Sequence, residues 1–132
     1  IGWNGYLKVT DFGLSKLTDR FMEAKTFCGS PIYTCPELLA GDTFTAASDI
    51  YGIGCILYEM LVGDPPFESD NLAKLYDKIK DGILKIDAPL SSQAHSLLKG
   101  LMDRNPLNRL TIKDTKDHPF FATIDWTAIE GC

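Results

Sequence analysis

The sequence of 132 residues is poor in the features that mark metal-binding and membrane-spanning chains. Its four cysteines form no Cys-x-x-Cys pair, and neither histidine clusters with them at the spacing of a zinc site. The longest apolar stretch, residues 50–62, is interrupted by Glu59 and is shorter than the roughly 20 residues that a membrane span needs. A structural zinc site and a membrane span are therefore not expected.

The chain also has little positive charge. Its 13 basic residues are outnumbered by 18 acidic ones, which gives a net charge of -5, and the two signs are interspersed. No basic stripe could follow a phosphate backbone, so nucleic acid is not an expected partner. An acidic surface is compatible with basic peptide substrates, although a role in solubility is the simpler interpretation.

The beginning of the sequence lacks an initiator methionine and a charged leader followed by an apolar core. We therefore expect it to start within a longer chain. Cysteines that form no recognisable framework are typical of reduced thiols, so we expect an intracellular, cytoplasmic protein. Cys28 lies close to a threonine and is interpreted either as a redox sensor or, more simply, as a small apolar residue.

Local patterns predict a mainly α chain that begins with the remnant of a β-hairpin. Asn-Gly at residues 4–5 favours a hairpin turn, and residues 6–10 have strand character, whereas residues 1–3 leave little of the first strand. Apolar residues recur with neither helical nor strand periodicity over residues 14–32, which predicts a long loop. We predict helices at residues 37–39, 50–62, 72–79 and 92–102, and a short one that begins at Thr111 and stops at His118.

The helix at residues 50–62 is the expected centre of the fold. Ser48 and Asp49 give it an N-terminal signal, and Gly-Asp-Pro-Pro at residues 63–66 ends it. Its apolar residues fall on more than one helical face, so it should be buried nearly all round. In an incomplete chain the same helix would expose an apolar patch and make the isolated chain poorly soluble.

Three motifs follow one another in a fixed order: Asp-Phe-Gly at residues 11–13, Thr-Phe-Cys-Gly-Ser-Pro at 26–31 and Pro-Glu at 36–37. Each motif is weak alone, but in this order they resemble the activation segment of a protein kinase. Ser-Asp-Ile-Tyr-Gly-Ile-Gly at 48–54 and Gly-Asp-Pro-Pro-Phe at 63–67 extend the resemblance.

From Gly5 to about Trp126 the chain is similar to the C-terminal half of a Ser/Thr protein kinase catalytic domain. The resemblance implies the helical C-terminal lobe of that fold with a short remnant hairpin at its start. It also implies one partial kinase domain over residues 1–132, from the Asp-Phe-Gly motif through the last helix of the lobe, with the N-lobe and the catalytic loop absent.

The subgroup is indicated by the Thr-Phe-Cys-Gly-Ser-Pro motif and by Ile-Asp-Trp at residues 124–126. Both are similar to the AGC group, the relatives of protein kinase A and the ribosomal S6 kinases. Residues 109–118 lack the glycine-rich insertion usual in that group, which leaves a calmodulin-dependent-kinase-like relative open.

The resemblance implies ATP and Mg²⁺ as cofactors. Phosphoryl transfer needs a carboxylate to hold the magnesium ion that bridges the phosphate oxygens, and Asp11 matches that metal ligand. Thr10 matches the small hydroxyl residue that lines the nucleotide pocket. Taken alone, the two residues are also typical of a solvated turn aspartate and an ordinary strand threonine.

Four further positions match residues that regulate such enzymes or bind their substrates. Thr26 matches the site that an upstream activating kinase phosphorylates, and Lys16 matches one of the basic partners of that phosphate. Ser30 matches the hydroxyl that bonds the catalytic aspartate and favours Ser or Thr acceptors. Glu59 matches a residue that binds a substrate arginine, although a structural or solvated role fits it equally well.

Three residues match structural positions of the family. Glu37 and Arg109 would form a buried ion pair. Asp49 would accept hydrogen bonds from the catalytic-loop backbone or, without that loop, cap its helix. Cys35 and Tyr51 replace the alanine and tryptophan that are common at their positions, and neither replacement suggests lost activity.

The sequence thus predicts part of an ATP-dependent Ser/Thr protein kinase that transfers the γ-phosphoryl group to Ser and Thr hydroxyls of proteins, basic ones among them. The chain alone is expected to be inactive, because the His-Arg-Asp aspartate and the ATP-binding lysine are not in it. The alternative is a pseudokinase or scaffold lobe that binds protein partners without catalysis. A third interpretation, an unrelated small helical domain, would treat the ordered motifs as coincidence.

Overall fold

The computed structural model describes residues 5–12 and 30–130 of the chain. Within these ranges the chain forms α-helices and short 3₁₀ turns and no β-strand, which confirms the mainly α prediction. The 3₁₀ turns are Pro31–Tyr33, Pro106–Asn108 and Pro119–Phe121. The helices are α1 (Pro36–Leu39), α2 (Ala46–Val62), α3 (Leu72–Asp81), α4 (Ser92–Leu101), α5 (Ile112–Lys116) and α6 (Trp126–Glu130).

The predicted hairpin is not found among the described residues. Residues 6–10 form no strand, and the side chains of Leu7 and Val9 are 86% and 82% exposed. The expected partner, residues 1–3, lies outside the described residues. Strand preference mostly reflects packing against neighbours, and these two side chains lack a surface to pack on. The prediction of a strand at residues 6–10 is therefore wrong for this structure.

Helix α2 begins four residues earlier than the sequence signal suggested. Thr45 is its N-cap, and the backbone N–H of Thr45 donates to Ser48 Oγ at 3.2 Å in a capping box. Ser48 thus acts from the third helical position and not from before the helix. The predicted end is confirmed, because Gly63 adopts a left-handed φ of 97° that a glycine tolerates, and its N–H donates to the Glu59 carbonyl.

The core lies where α2 packs against α4, with α3 alongside. The helices approach closely at Gly54, where an added Cβ would lie only 2.5 Å from Met102 Cγ and 3.0 Å from Leu101 Cβ. Any side chain at Gly54 would force α2 and α4 apart. The large side chains that are buried most completely in this core are Tyr51, Ile79, Leu97, Leu98 and Leu101.

The opposite side of α2 is open: the helix is not buried nearly all round, and the exposed apolar patch expected for an incomplete chain is found. Ile53, Ile56 and Met60 are 46%, 53% and 72% exposed. Their spacing places them on one helical face, which we call the α2 apolar face. The apolar pattern of a helix predicts which faces could be buried, but a face is buried only where another element covers it.

The last part of the chain is held by aromatic contacts. The Trp126 indole N–H donates to the Lys116 carbonyl at 3.1 Å, and its ring meets the Phe121 ring edge-on with centroids 5.5 Å apart. These contacts pack the start of α6 against the end of α5 and the 3₁₀ turn that follows it. Across the described ranges, no helix has both the length and the apolar character needed to cross a bilayer.

The α2 apolar face should make the isolated 132-residue chain self-associate, because contiguous exposed apolar surface favours association in water. We expect the paired substitutions Ile56→Lys and Met60→Lys to increase the monomer fraction in sedimentation velocity. The matched control is Leu107→Lys with Ile112→Lys, which changes two other exposed apolar residues and should leave association unchanged. An unsubstituted chain that sediments as a monomer and melts sharply would contradict this expectation.

Candidate functional site

The site is built around helix α1, which begins directly after the extended residue Cys35. Pro36 occupies the first helical position, where its fixed φ suits the helix and its missing N–H costs no hydrogen bond. This start places Glu37 in the first turn, where its carboxylate is almost completely buried. A buried carboxylate requires a partner, and the chain supplies one from a distant segment.

Arg109 forms a bidentate ion pair with Glu37. Its Nη1 donates to Glu37 Oε1 and its Nη2 to Glu37 Oε2, each at 2.6 Å. Both residues are 6% exposed. The two parallel hydrogen bonds match the planar fork of a guanidinium to a carboxylate, which is the strongest form of such a pair. The structure thus brings these two predicted site residues together.

The remaining groups around the pair are also engaged. Arg109 Nη1 donates to the Ala47 carbonyl at 2.9 Å and its Nε to the Asp103 carbonyl at 2.8 Å. The Ser48 hydroxyl donates to Glu37 Oε1 at 2.9 Å, and the guanidinium lies 4.8 Å from the centre of the Tyr51 ring. The set of Glu37, Ser48, Tyr51 and Arg109, here named the Arg109 network, links α1, the first turns of α2 and the segment after α4.

Burial and hydrogen bonding shift the pKa of Glu37, the acid of this network, in opposite directions. Burial alone would raise the pKa of Glu37, but the hydrogen bonds from Arg109, supported by backbone and Cys35 interactions, outweigh it and hold the pKa below its usual value. Burial raises the pKa of the Cys35 thiol to about 11 and that of the Cys55 thiol to about 12. The two buried thiols therefore stay protonated and are poor nucleophiles at neutral pH.

The hydroxyl of Tyr51 is the exception within the network. Tyr51 is 1% exposed, and its hydroxyl has no hydrogen-bond partner in the part of the chain that the structure describes. Burial raises its pKa above the usual range, so it carries no charge. The sequence singled out Tyr51 as a departure from the family's common tryptophan, but it gave no sign that the hydroxyl would be left unpaired.

Asp11 has an uncommon backbone conformation. Its φ of 62° is left-handed, and it is the one non-glycine residue with positive φ among those described. Most residues avoid this region, aspartate tolerates it better than most, and such positions are enriched at functional sites. Asp11 and Thr10 are both exposed. The structure therefore presents this carboxylate to solvent at the start of the predicted metal motif.

Asp11 offers a single carboxylate, which fits a metal ion that the protein binds through only one or two side chains. Within residues 5–12 and 30–130, no three acidic, histidine or cysteine side chains lie together as a metal cluster. Mg²⁺ usually keeps several waters and is bound by one or two carboxylates together with substrate phosphates. A single exposed carboxylate such as Asp11 suits that mode, and it would not form a closed all-protein cage.

The residues predicted to face a substrate lie at and beside the first 3₁₀ turn. Ser30 is exposed at the N-cap of Pro31–Tyr33. The Tyr33 hydroxyl at the end of that turn donates to Glu59 Oε2 at 2.9 Å, a bond that raises the pKa of Tyr33. Glu59 is half-buried on α2. Sequence reasoning missed the Tyr33 contact, since it joins residues 26 positions apart.

Among the remaining predicted site residues, Asp49 makes none of the contacts described above. Asp49 is exposed in the first turn of α2, where desolvation raises its pKa. Thr45 and Ser48 cap this helix, so the capping role predicted for Asp49 is not the one it takes. Lys16 and Thr26 lie outside the described residues.

Comparison with known proteins finds one family over most of the chain. The family described as protein kinase domain matches residues 1–121. Protein kinase 2 of Dictyostelium discoideum is 44% identical over 129 residues, which cover 96% of this chain and 27% of that protein. The serine/threonine-protein kinase gad8 of Schizosaccharomyces pombe is 41% identical, over 96% of this chain and 23% of its own length.

A third relative bears on the predicted subgroup. The ribosomal protein S6 kinase alpha-2 of Mus musculus is 39% identical, over 95% of this chain and 18% of that protein. This match confirms the predicted similarity to the group that contains the ribosomal S6 kinases. The chain spans about a quarter or less of the length of these three relatives.

Removing Arg109 should destabilise the protein strongly, because Glu37 would remain buried with an unpaired charge. We expect Arg109→Ala to lower the free energy of unfolding by about 3–5 kcal/mol in urea titrations. The control is Lys113→Ala, which breaks the exposed pair between Lys113 and Asp117 and should have little effect. Comparable losses in the two variants would contradict the central role of the Arg109 network.

The cost of Arg109→Ala should also depend on pH. The folded protein holds the pKa of Glu37 below its usual value of 4.5, so the stabilisation is complete above about pH 4.5 and is lost as the pH falls through the lower folded pKa. The difference in unfolding free energy between the parent and the variant should therefore shrink below pH 4.5. A difference that stays constant down to strongly acidic pH would exclude the ion pair as its source.

The unpaired Tyr51 hydroxyl should make Tyr51→Phe neutral or stabilising by about 1 kcal/mol, because the variant keeps the ring against Arg109 and removes a buried donor. The matched control is Tyr58→Phe on the same helix. The Tyr58 hydroxyl donates to the Lys85 carbonyl at 2.5 Å, so its loss should cost about 1 kcal/mol. Thermal unfolding of both variants checks the contrast, and a larger loss at Tyr51 would reveal a partner for its hydroxyl.

Proposed function

Because this chain belongs to the protein kinase domain family, we propose that its protein transfers the γ-phosphoryl group of ATP to serine and threonine hydroxyls of proteins. The observation that carries the proposal is the exposed, left-handed Asp11 at the head of the Asp-Phe-Gly motif. Relatives that are named serine/threonine-protein kinases support the choice of acceptor. Cys35 and Cys55 are free and buried, which suits an intracellular protein whose thiols stay reduced.

Asp11 would hold Mg²⁺, and Thr10 would line the nucleotide pocket. Bound Mg²⁺ neutralises charge that develops on the phosphate oxygens during transfer. The part of Asp11 is to supply one carboxylate ligand at a backbone position that its left-handed φ fixes. The 132 residues contain no His-Arg-Asp triplet, so the proposed activity needs a catalytic aspartate and an ATP-binding lysine from beyond them.

Substrate recognition would use the surface near the first 3₁₀ turn. Ser30 is exposed there and would bond the catalytic aspartate, as expected for Ser and Thr acceptors. Glu59 would bind a basic residue of the substrate. Its Oε2 accepts from Tyr33, whereas its Oε1 accepts no hydrogen bond from a described residue and could receive a guanidinium N–H.

Regulation would act through the loop between the Asp-Phe-Gly and Pro-Glu motifs. Thr26 would be phosphorylated by an upstream kinase, and Lys16 would be one of the cations that pair with the phosphate. The Arg109 network would anchor the far end of this loop by holding α1 in place. Asp49 would accept hydrogen bonds from the catalytic-loop backbone.

A second candidate is a pseudokinase or scaffold lobe that binds proteins without catalysis. The exposed α2 apolar face is the observation that favours it, because such surfaces mark sites of association. The two candidates differ in one measurable respect. Only the kinase requires the Asp11 carboxylate for phosphoryl transfer.

The test is Asp11→Asn in the full-length protein. We expect phosphate transfer from ATP to a Ser/Thr peptide to fall by at least about a hundredfold, the scale for loss of one group that stabilises a transition state. Radiolabelled ATP and a peptide library with matched Ser, Thr and Tyr acceptors give the measurement. Asp70→Asn, a change at an exposed loop carboxylate, is the control and should keep full activity.

Two results would contradict the proposal. A parent protein that transfers no phosphate under any activating condition but still captures partners would favour the scaffold. An Asp11→Asn variant as active as the parent would remove the metal role of Asp11, whatever the overall reaction.

A further inference from the structure

The segment after α3, residues 83–87, has the burial pattern of an edge strand. Ile83, Lys85 and Asp87 are exposed, whereas Leu84 and Ile86 are half-buried and pack against the core. Alternation with a period of two is the mark of extended backbone, in which successive side chains point to opposite faces. Within the described ranges the segment has no partner strand.

One edge of this segment is occupied and the other is open. The Tyr58 hydroxyl donates to the carbonyl of Lys85, which fixes one edge against α2. In extended backbone, neighbouring residues direct their N–H and C=O groups to opposite edges, so those of Leu84 and Ile86 face away from Tyr58. Neither of these N–H groups donates to a backbone acceptor among the described residues. The open edge is therefore a template for pairing with another extended chain.

A pocket of about 260 Å³ opens beside the exposed side chains of the segment. Its volume lies below the roughly 300–1,000 Å³ of small-molecule sites and suits a single apolar side chain. Lys78 Nζ donates to the Glu68 carbonyl at 2.5 Å, which ties α3 to the loop on the other side of the pocket. The residues that line it include Pro66, Phe67, Lys78, Asp81, Ile83 and Lys85.

We propose that residues 83–87 bind an extended peptide segment of a partner protein by antiparallel strand addition. The peptide places an aliphatic side chain opposite Ile83 and into the pocket, an acidic one opposite Lys85 and a basic one opposite Asp87. Read from its N-terminus, the peptide has the pattern basic-x-acidic-x-aliphatic. Main-chain hydrogen bonds supply affinity in this mode, and the alternating side chains supply specificity.

The register of the proposed pairing follows from the backbone. Leu84 and Ile86 would be the hydrogen-bonded positions, so Ile83, Lys85 and Asp87 fall at non-hydrogen-bonded positions, where facing side chains lie closest. Opposite charges that face each other there stabilise the pair and like charges destabilise it. The charge pattern of the segment therefore selects its partner.

The same pattern disfavours a second copy of this chain as the occupant. Antiparallel pairing of two copies centred on Lys85 would place one Lys85 opposite the other and each Ile83 opposite an Asp87. A partner with complementary charges avoids both mismatches. The inference does not depend on phosphoryl transfer and uses no residue of the Arg109 network.

The experiment measures binding of a fluorescent peptide, Gly-Arg-Thr-Glu-Thr-Leu-Gly, to the full-length protein by anisotropy. We expect saturable binding that weakens about three- to tenfold with Lys85→Glu, the effect of turning one facing pair of charges from attractive to repulsive. Exchanging the peptide glutamate for lysine should restore binding to the Lys85→Glu protein and weaken binding to the parent. Lys99→Glu, at an exposed lysine of α4, is the control and should bind the original peptide as the parent does.

The charge exchange separates recognition from a general effect on folding, since a damaged protein would not recover with a new peptide. Replacing the leucine of the original peptide with alanine should weaken its binding to the parent protein, because the pocket would be left unfilled. Three results would each overturn the proposal. The first is no binding at millimolar peptide, and the second is equal binding of the original peptide to the parent and to the Lys85→Glu protein. The third is that the protein self-associates and does not bind the peptide, and that Lys85→Glu alters this self-association.

Discussion

The bidentate pair between Arg109 and Glu37 is the interaction on which the arrangement of the described helices depends. Removing two charges from water is costly, and the cost is offset only when every remaining donor and acceptor is engaged. Here the guanidinium also donates to the carbonyls of Ala47 and Asp103 and lies against the ring of Tyr51. Because Glu37, Ala47 and Asp103 belong to three separate segments, satisfying one guanidinium fixes the relative positions of all three.

Helix α2 receives its position from this network and its burial from α4. The Ser48 hydroxyl ties its first turn to Glu37, and Gly54 lets its middle approach α4 closely. Polar contacts thus set where the helix begins, and apolar packing sets which face is turned inward. Ile53 and Met60 are left outside because neither force acts on their side of the helix.

Local patterns in the sequence predicted the helices whose ends are set by contacts between residues close in sequence. The predicted helices at residues 92–102 and after Thr111 are both found, since the cap that starts each of them joins residues only three apart. The start of α2 was placed too late because Ser48 resembles an N-cap while it works from inside the first turn. The prediction of a strand at residues 6–10 was wrong because residues with a strand preference form a strand only where a partner strand or a packing surface is present.

Contacts between distant residues were beyond such patterns. Glu37 and Arg109 are 72 positions apart, and their pairing was expected only because the chain resembles a known family. The Tyr33 contact to Glu59 and the unpaired hydroxyl of Tyr51 depend on how segments pack in three dimensions. A residue's type states what it could bond to, but packing decides whether a partner is there.

Two sets of unpaired polar groups in the described residues have opposite physical meaning. The hydroxyl of Tyr51 is enclosed, so its missing hydrogen bond is a fixed cost in stability that no partner protein can relieve. The backbone groups at the open edge of residues 83–87 lie beside exposed side chains, where water can satisfy them. Exchanging that water for a peptide backbone loses little, and filling the pocket beside Ile83 and Lys85 supplies the gain. Only the second set can therefore serve recognition.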